Sequence, residues 1–371
     1  MSVTETDQVE FSEHELLESE PFVEPLIANG VRCHGGFDSD GNYVSPRTKH
    51  RAPAIAAWQA QHRAQFGTDL LDLPLDTWPA MYPNVDQARF LVTKGVPGPI
   101  ITELTRIGTV EGFGSTIRNS VLPDWSTTFV EDVRGTAIAH LDRGLYEAHA
   151  RDEAGFDGEA GHQQMWFAVR DIAFEDPISE DATITMLERL GVSIPGSGGA
   201  IDFDRLRAQA LANRLLPDDI DFEFESLLAS MIRLVLIEIS AFHIFAWAET
   251  LLGDTDLVAG DGEAARLVAA IRSDETPHVD YLRTTLSEMR DRTVIGRSGR
   301  HYPGTDVIGP LWDRALAQSI GVGRQARVET AWREINHAVE GRSDSADLLA
   351  EFTSLGTVHR GDDGTWTDTS A

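Results

Sequence analysis

Apolar residues recur at intervals of three and four along most of the chain, which is the period of an amphipathic helix. The pattern predicts helices at residues 54–66, 86–93, 221–252, 262–292 and 309–339, and almost continuous helix between residues 100 and 177. We find no convincing strand alternation and no repeat of solenoid length. The chain is therefore expected to be all-α.

Glycine and proline clusters divide the chain into three parts. Residues 1–50 are expected to form an acidic N-terminal arm, and residues 346–371 a C-terminal tail. Between them, residues 51–345 form one helical domain, in which a loop-rich insert at residues 177–220 separates two groups of helices. A chain of 371 residues is within reach of one large helical domain with flanking arms.

Composition restricts the class of protein. Hydrophobic residues make up 42% of the chain, which supplies a buried core and excludes a disordered or fibrous protein. The net charge of −29 repels phosphate backbones and anionic lipid headgroups, so neither nucleic acid nor a membrane is an expected partner. Cys33 is the single cysteine, and the acidic N-terminus lacks the features of a signal peptide, so we expect a cytoplasmic protein.

The most apolar stretch, residues 227–252, is long enough to cross a bilayer, but Arg233, Glu238, His243 and Glu249 are spread through it. We therefore interpret it as a buried helix of a soluble core. Glu238 lies in its most apolar part, where an unpaired carboxylate costs several kcal/mol or loses its charge. A bound cation would remove this cost.

Two Glu-x-x-His motifs each place a carboxylate and an imidazole on one face of a helix. Both lie in line with an apolar stripe, so both are expected to face a core. A third copy has no second carboxylate-bearing helix at a matching interval, and we assign it a structural role. The three copies are Glu159 with His162, Glu275 with His278, and Glu334 with His337.

Each of the first two motifs is expected to meet a lone carboxylate on a neighbouring helix. Residues 221–252 and 262–292 form an antiparallel hairpin, whose turn puts Glu238 beside Glu275 and His278.

The lone carboxylate beside Glu159 has two candidates. Glu131 is level with Glu159 if the chain turns at residues 142–144, whereas Glu147 is closer if it turns at residues 155–158. The apolar period that continues unbroken past the first of these turns favours Glu131. Glu147 stays the alternative.

The order lone Glu, Glu-x-x-His, lone Glu, Glu-x-x-His resembles that of the ferritin-like di-iron carboxylate proteins. The resemblance covers residues 125–292 and matches no named subfamily. It implies a four-helix bundle core with additional N- and C-terminal helices. In such a site Glu159 and Glu275 would bridge two metal ions. The implied metal ligands are Glu131, Glu159, His162, Glu238, Glu275 and His278.

Two iron ions are the implied cofactor, with manganese or a mixed iron and manganese pair as alternatives. Carboxylates and imidazoles suit these metals, and a site without thiolates argues against structural zinc. Such a pair with open positions can bind and reduce dioxygen. The resemblance thus implies an oxidase or oxygenase that acts on a small organic substrate and dioxygen, with electrons from the substrate or from a separate reductase.

Two other functions fit the same pattern. Iron storage or detoxification would use the same bundle, but it typically needs only the four-helix core, whereas this chain has long flanks on both sides. A metal-free helical protein that binds a partner is the other alternative, if the motifs are coincidental.

Some neighbours of the motifs are candidates for supporting roles. Asp152 and Asp274 are placed to hydrogen-bond side chains that bind metal, as metal sites commonly require. Phe242 and Phe245 share a face with Glu238, where they either line a substrate pocket or pack in the core.

Overall fold

The structure is a computed structural model that describes residues 9–19, 22–73, 78–174, 208 and 211–369. Most of the predicted insert at residues 177–220 lies outside these residues. The helices are α1 Glu13–Leu17, α2 Thr48–Phe66, α3 Val85–Thr93, α4 Gly98–Gly114, α5 Trp125–Thr128, α6 Tyr146–Ala154, α7 His162–Ala173, α8 Phe222–Leu252, α9 Glu263–Arg290, α10 Gly304–Ala317, α11 Gly323–Val339 and α12 Ser345–Ser354. The strands are β1 Glu24–Ala28, β2 Val31–Phe37, β3 Tyr43–Val44, β4 Thr293–Ile295, β5 His301–Pro303, β6 Val358–Arg360 and β7 Trp366–Asp368.

Four helices form the centre of the molecule. α4 packs against α7, α7 against α9, and α9 against α8. The hairpin predicted at residues 221–292 is confirmed, with α8 and α9 beginning and ending within two residues of the predicted bounds. The predominance of helix agrees with the predicted all-α class.

A polar layer lies between two apolar cores along the α8–α9 hairpin. On α8, the buried apolar residues up to Ile239 belong to one core, which we call the first, and those from Ala241 onward belong to the second. On α9, the second core ends at Ile271 and the first resumes at Val279. Buried apolar side chains thus enclose the layer on both sides, so any charge in it is removed from water.

The expectation that the chain has no strands is wrong, because the described residues form three small antiparallel sheets. The sheet that matters for the site is β1-β2-β3, within the predicted N-terminal arm. Its first hairpin turns at Asn29 and Gly30, both of which have positive φ. An Asn-Gly pair between two extended segments is the usual signal of such a two-residue turn, and β2, with two glycines, lacks the alternation that marks a strand.

The prediction of nearly continuous helix from residue 100 to residue 177 is also wrong. The chain leaves helical geometry between α5 and α6, where Gly144 has a φ of 124°, and again between α6 and α7. The second break begins at Gly155, whose φ of 81° ends α6. The helix predicted at residues 309–339 is confirmed and begins earlier, at Gly304; a single wide helical turn at residues 318–322 joins α10 to α11.

Among the described residues, α8 is the one helix long and apolar enough to cross a membrane. Half of its most apolar 18-residue window is buried inside the fold. A core helix of a soluble protein passes the same test, in agreement with the interpretation of this stretch as a core helix.

Candidate metal centre

Carboxylates and imidazoles from five helices meet in the polar layer. All of them are buried except Glu111, which is half-buried. They are Glu111 on α4, His149, Asp152 and Glu153 on α6, His162 on α7, Glu238 on α8, and Asp274, Glu275 and His278 on α9.

Two overlapping groups within this cluster have the geometry of metal sites. In each group, one ligand atom from every residue lies within 4.8 Å of the others, and the two groups share Glu153 and His278. Adjacent groups that share a carboxylate, here Glu153, suit two neighbouring cations. The first group is His149, Glu153, Glu238 and His278, and the second is Glu153, His162, Glu275 and His278.

Glu275 connects the two imidazoles of the second group. Its Oε1 lies 2.8 Å from Nδ1 of His162, and its Oε2 lies 2.8 Å from Nδ1 of His278. Oε1 of Glu153 lies 3.3 Å and 3.5 Å from the same two nitrogens. The ring of His149 stacks on that of His278 at 3.9 Å, and its Nε2 lies 3.6 Å from both Glu153 and Glu238.

Several of these buried atoms have no hydrogen-bond partner among the described residues. They include both carboxylate oxygens of Glu153, Oε1 of Glu275, both ring nitrogens of His162 and Nε2 of His149. Nearly all buried polar atoms in proteins are hydrogen-bonded, and leaving one unsatisfied costs about 1–3 kcal/mol. Buried oxygen and nitrogen atoms that converge without hydrogen-bond partners fit a cation, and carboxylate with imidazole ligands suit iron or manganese.

The buried carboxylates and imidazoles of the cluster shift one another's pKa values. Burial would lower the pKa of His162 and His278, but the carboxylates beside them, Glu275 first, raise both pKa values well above the ordinary value. Burial would raise the pKa of Glu153 and Glu275, but the imidazoles, His162 first, lower both to about 2. Burial and these two carboxylates raise the pKa of Glu238 well above its usual range. Divalent cations would satisfy all of the carboxylates together.

Asp152 supports His278. Oδ2 of Asp152 lies 3.1 Å from Nε2 of His278, the nitrogen that faces away from Glu275. The same carboxylate accepts a hydrogen bond from Nη1 of Arg51 at 2.5 Å and pairs with Arg47 at 3.1 Å. Burial would raise the pKa of Asp152, but the two arginines hold it well below its ordinary value. The anion therefore fixes the orientation of the His278 ring.

Asp274 has the corresponding position beside His162. Its Oδ2 lies 3.5 Å from Nε2 of His162 and 2.7 Å from Nε2 of His34 on β2, and it accepts a hydrogen bond from the hydroxyl of Tyr43 on β3 at 2.8 Å. The N-terminal sheet thus supports one half of the cluster, and the start of α2 supports the other. Both aspartates named as supporting candidates lie beside the predicted histidine ligands.

The structure brings together four of the six predicted ligands, His162, Glu238, Glu275 and His278, and places the other two elsewhere. Glu131 lies in an irregular segment and accepts hydrogen bonds from the backbone nitrogen and the hydroxyl of Thr293, at 2.7 and 2.9 Å.

Glu159 and the alternative ligand Glu147 also lie outside the cluster. Glu159 is in the loop before α7, 30% exposed and 3.4 Å from Arg32. Glu147 points away from the site and pairs with Arg151 at 2.7 Å and Arg118 at 3.4 Å. The break in the helix explains the position of Glu159, because a Glu three residues before His162 shares its face only if one helix includes both.

The third motif is also outside the cluster. Glu334 pairs with Arg106, and the side chain of His337 is 86% exposed. This placement agrees with the structural role assigned to it.

Sequence reasoning missed two carboxylates of the cluster, Glu111 and Glu153, which precede α8 in the chain. Glu153 is nine residues before His162, instead of three, because the loop at residues 155–161 separates them. One signal was present: the dipeptide Asp-Glu occurs only twice in the chain, at residues 152–153 and 274–275. Glu111, whose pKa is raised by burial and by the nearby carboxylates of Glu153 and Glu275, belongs to a helix before the segment covered by the resemblance.

A cleft of about 480 Å³ leads to the cluster between α4 and α8. Glu111, Glu153 and Glu238 line its inner end. Of the two predicted pocket residues, Phe242 lines a different cleft, and Phe245 is buried and stacks on Trp166 at 5.8 Å. The centre is therefore open to a small molecule from one side.

Comparison of the chain with protein families, with curated proteins and with solved structures found no match.

Proposed function

We propose that the protein is a di-metal carboxylate oxidoreductase, with iron as the expected metal, that uses dioxygen to oxidise a small organic molecule. The observation that carries the proposal is the pair of overlapping buried groups in which carboxylate and imidazole atoms converge and several of them have no hydrogen-bond partner.

The ligand set along the chain supports a ferritin-like arrangement with revised members. Four helical segments supply a lone carboxylate, a Glu with a His, a second lone carboxylate, and a second Glu with a His, in the order used by di-iron bundles. The interrupted helix α6–α7 takes the place of one Glu-x-x-His helix. In chain order the proposed ligands are Glu111, Glu153, His162, Glu238, Glu275 and His278, with His149 as an additional imidazole.

The proposed roles follow from the contacts. Glu153 and Glu275, which lie near both histidines, would be shared between two ions, and Asp152 and Asp274 hold the histidine rings in place. A pair of iron or manganese ions with open positions supplies the ability to bind and reduce dioxygen. The apolar cores on both sides exclude water from the ligands except through the cleft.

The wall of the cleft favours an organic substrate over iron storage. Val110, Phe113, Leu234 and Ile237 form its apolar part. An apolar molecule gains by covering these side chains, and Arg233 beside them would repel a ferrous ion. The buried atoms without hydrogen-bond partners disfavour a metal-free helical protein, because such atoms cost stability when no cation binds them.

Glu238→Ala is expected to slow dioxygen consumption at least tenfold, because it removes the one carboxylate that α8 contributes to the cluster. The matched control is Glu249→Ala on the same helix, since Glu249 is partly exposed and pairs with Arg272 at 2.6 Å. Both variants and the parent are loaded with ferrous iron without air and mixed with oxygenated buffer in an oxygen electrode. Full metal content and an unchanged rate in Glu238→Ala would refute the ligand set, and uptake far above two ions per chain would favour storage.

A further inference from the structure

The cleft above the cluster combines an apolar wall with buried charge at its inner end. Val110 and Ile237 line it and are 40% and 42% exposed, although both are large apolar side chains. Phe113, Ile117 and Leu234 are further apolar side chains of the wall. Exposed apolar side chains that adjoin convergent polar groups are typical of a ligand-binding pocket, and a volume of about 480 Å³ fits a small organic molecule.

Arg233 is the one positively charged side chain among the described residues that line this cleft. It lies on the exposed side of α8, and no carboxylate among the described residues is within ion-pair distance of it. In a chain with a net charge of −29, an arginine without an acidic partner beside a pocket is a ready site for an anion.

A second cleft adjoins the first and increases the positive potential at this point. The two clefts share Ser230 and Arg233, and the second is also lined by Arg314 and Arg327. These two arginines donate to backbone oxygens, at 2.8 Å and 3.1 Å, rather than to carboxylates. The one carboxylate described in the second cleft is bound by Arg214 at 2.8 Å, so it does not neutralise them.

The spacing along α8 sets the length of the ligand. Arg233 precedes Glu238 by five residues, which is about 7.5 Å along the helix axis. Leu234 and Ile237 lie on the wall between them. If the anionic group of a ligand binds Arg233, its apolar part needs a length of about 7 to 10 Å to cover these side chains and reach the inner end of the cleft.

We propose that the substrate is a small amphipathic carboxylic acid whose carboxylate binds Arg233 and whose apolar part lies over Leu234 and Ile237. The identity of this molecule as substrate rests on the proposed function, whereas its binding to the cleft does not. Arg233 acts as a specificity-determining residue, because it selects an anion and positions the far end of the molecule beside Glu111 and Glu238.

Calorimetric titration with three eight-carbon probes tests the proposal. Octanoate is expected to bind at least tenfold more tightly than octan-1-ol, and octylammonium to bind more weakly than either. Arg233→Gln is expected to weaken octanoate binding at least tenfold, since a charge-assisted contact is lost, and to leave octan-1-ol unchanged. The matched control is Arg333→Gln, which removes an exposed arginine on α11. Equal affinity for octanoate in the parent and in Arg233→Gln would overturn the assignment, as would a loss seen only in the Arg314→Gln, Arg327→Gln double variant.

The titrations are carried out on the protein as isolated and after removal of metal with a chelator. Octanoate binding that depends on Arg233 in both states supports the anion site even if oxygen reactivity is absent, in which case only the proposed function fails. If octanoate binding is lost when the metal is removed and is unchanged in Arg233→Gln, the probe binds the metal directly. This result would overturn the anion site alone.

Discussion

The Gly161→Ala variant is expected to lose most of its metal and to be less stable by about 1–3 kcal/mol, the usual cost of overpacking a tight site. Gly161 directly precedes His162 at the start of α7. A Cβ at this position would lie 2.5 Å from the backbone oxygen of Asp152 and even closer to the backbone nitrogen of Gly155. Backbone atoms cannot move aside alone, so α6 and α7 must separate and carry Glu153 away from His162.

Gly158→Ala is the matched control in the same loop. Gly158 has a φ of 82°, but no atom lies within 4 Å of the position of its Cβ, so the substitution adds only backbone strain of about 1–2 kcal/mol. Metal content by mass spectrometry and urea unfolding measure both effects. Equal metal content in the two variants would contradict the role of this loop in joining the halves of the site.

The free energy of unfolding is expected to be about 3–5 kcal/mol lower in the Arg51→Met variant, because the buried carboxylate of Asp152 loses its ion pair with Arg51. The side chains of Arg51 and Asp152 are 1% and 0% exposed. Burial magnifies the cost, and Arg47 and His278 compensate only in part. Adding Asp152→Asn to Arg51→Met should recover part of the loss, since the unpaired charge disappears.

Arg118→Met serves as the comparison. Arg118 is partly exposed and lies 3.4 Å from Glu147, so its loss should change stability by no more than about 1 kcal/mol. Urea unfolding of the three variants and the parent gives the differences. A similar small loss for Arg51→Met would mean that Asp152 is not held as an anion.

The α8–α9 half of the site was predictable residue by residue. Both helices are continuous, so the spacing of three between Glu275 and His278 and the position of the turn place Glu238 correctly. The apolar surroundings of Glu238 also indicated that its carboxylate needs a cation.

The other half was not predictable from helical spacing, because its helix is interrupted. Glu159 precedes His162 by three residues, but the two are not on one helix, whereas Glu153 reaches the cluster from across the loop. The glycines at 155, 158 and 161 indicated that the helix is interrupted. The spacing of the motif alone does not show that this interruption separates Glu159 from His162.

No local sequence pattern predicts that residues of the N-terminal sheet support the site. Tyr43 hydrogen-bonds Asp274 across 231 positions of the chain. The turn at Asn29–Gly30 predicts a hairpin, but nothing in its neighbourhood indicates where that hairpin packs. The hairpin is held in place by contacts between distant parts of the chain. The backbone of Ala160, for example, hydrogen-bonds the backbones of Arg32 and His34.

Metal content per chain, determined by mass spectrometry on protein prepared with iron and manganese, distinguishes the proposed ligands from the sequence-based ones most directly. We expect about two ions in the parent, close to none in the Glu153→Ala, Glu275→Ala double variant, and about two in the Glu131→Ala, Glu159→Ala double variant. Circular dichroism confirms that each variant is folded. A metal-free parent, or metal lost from the second double variant and kept by the first, would contradict the proposed centre.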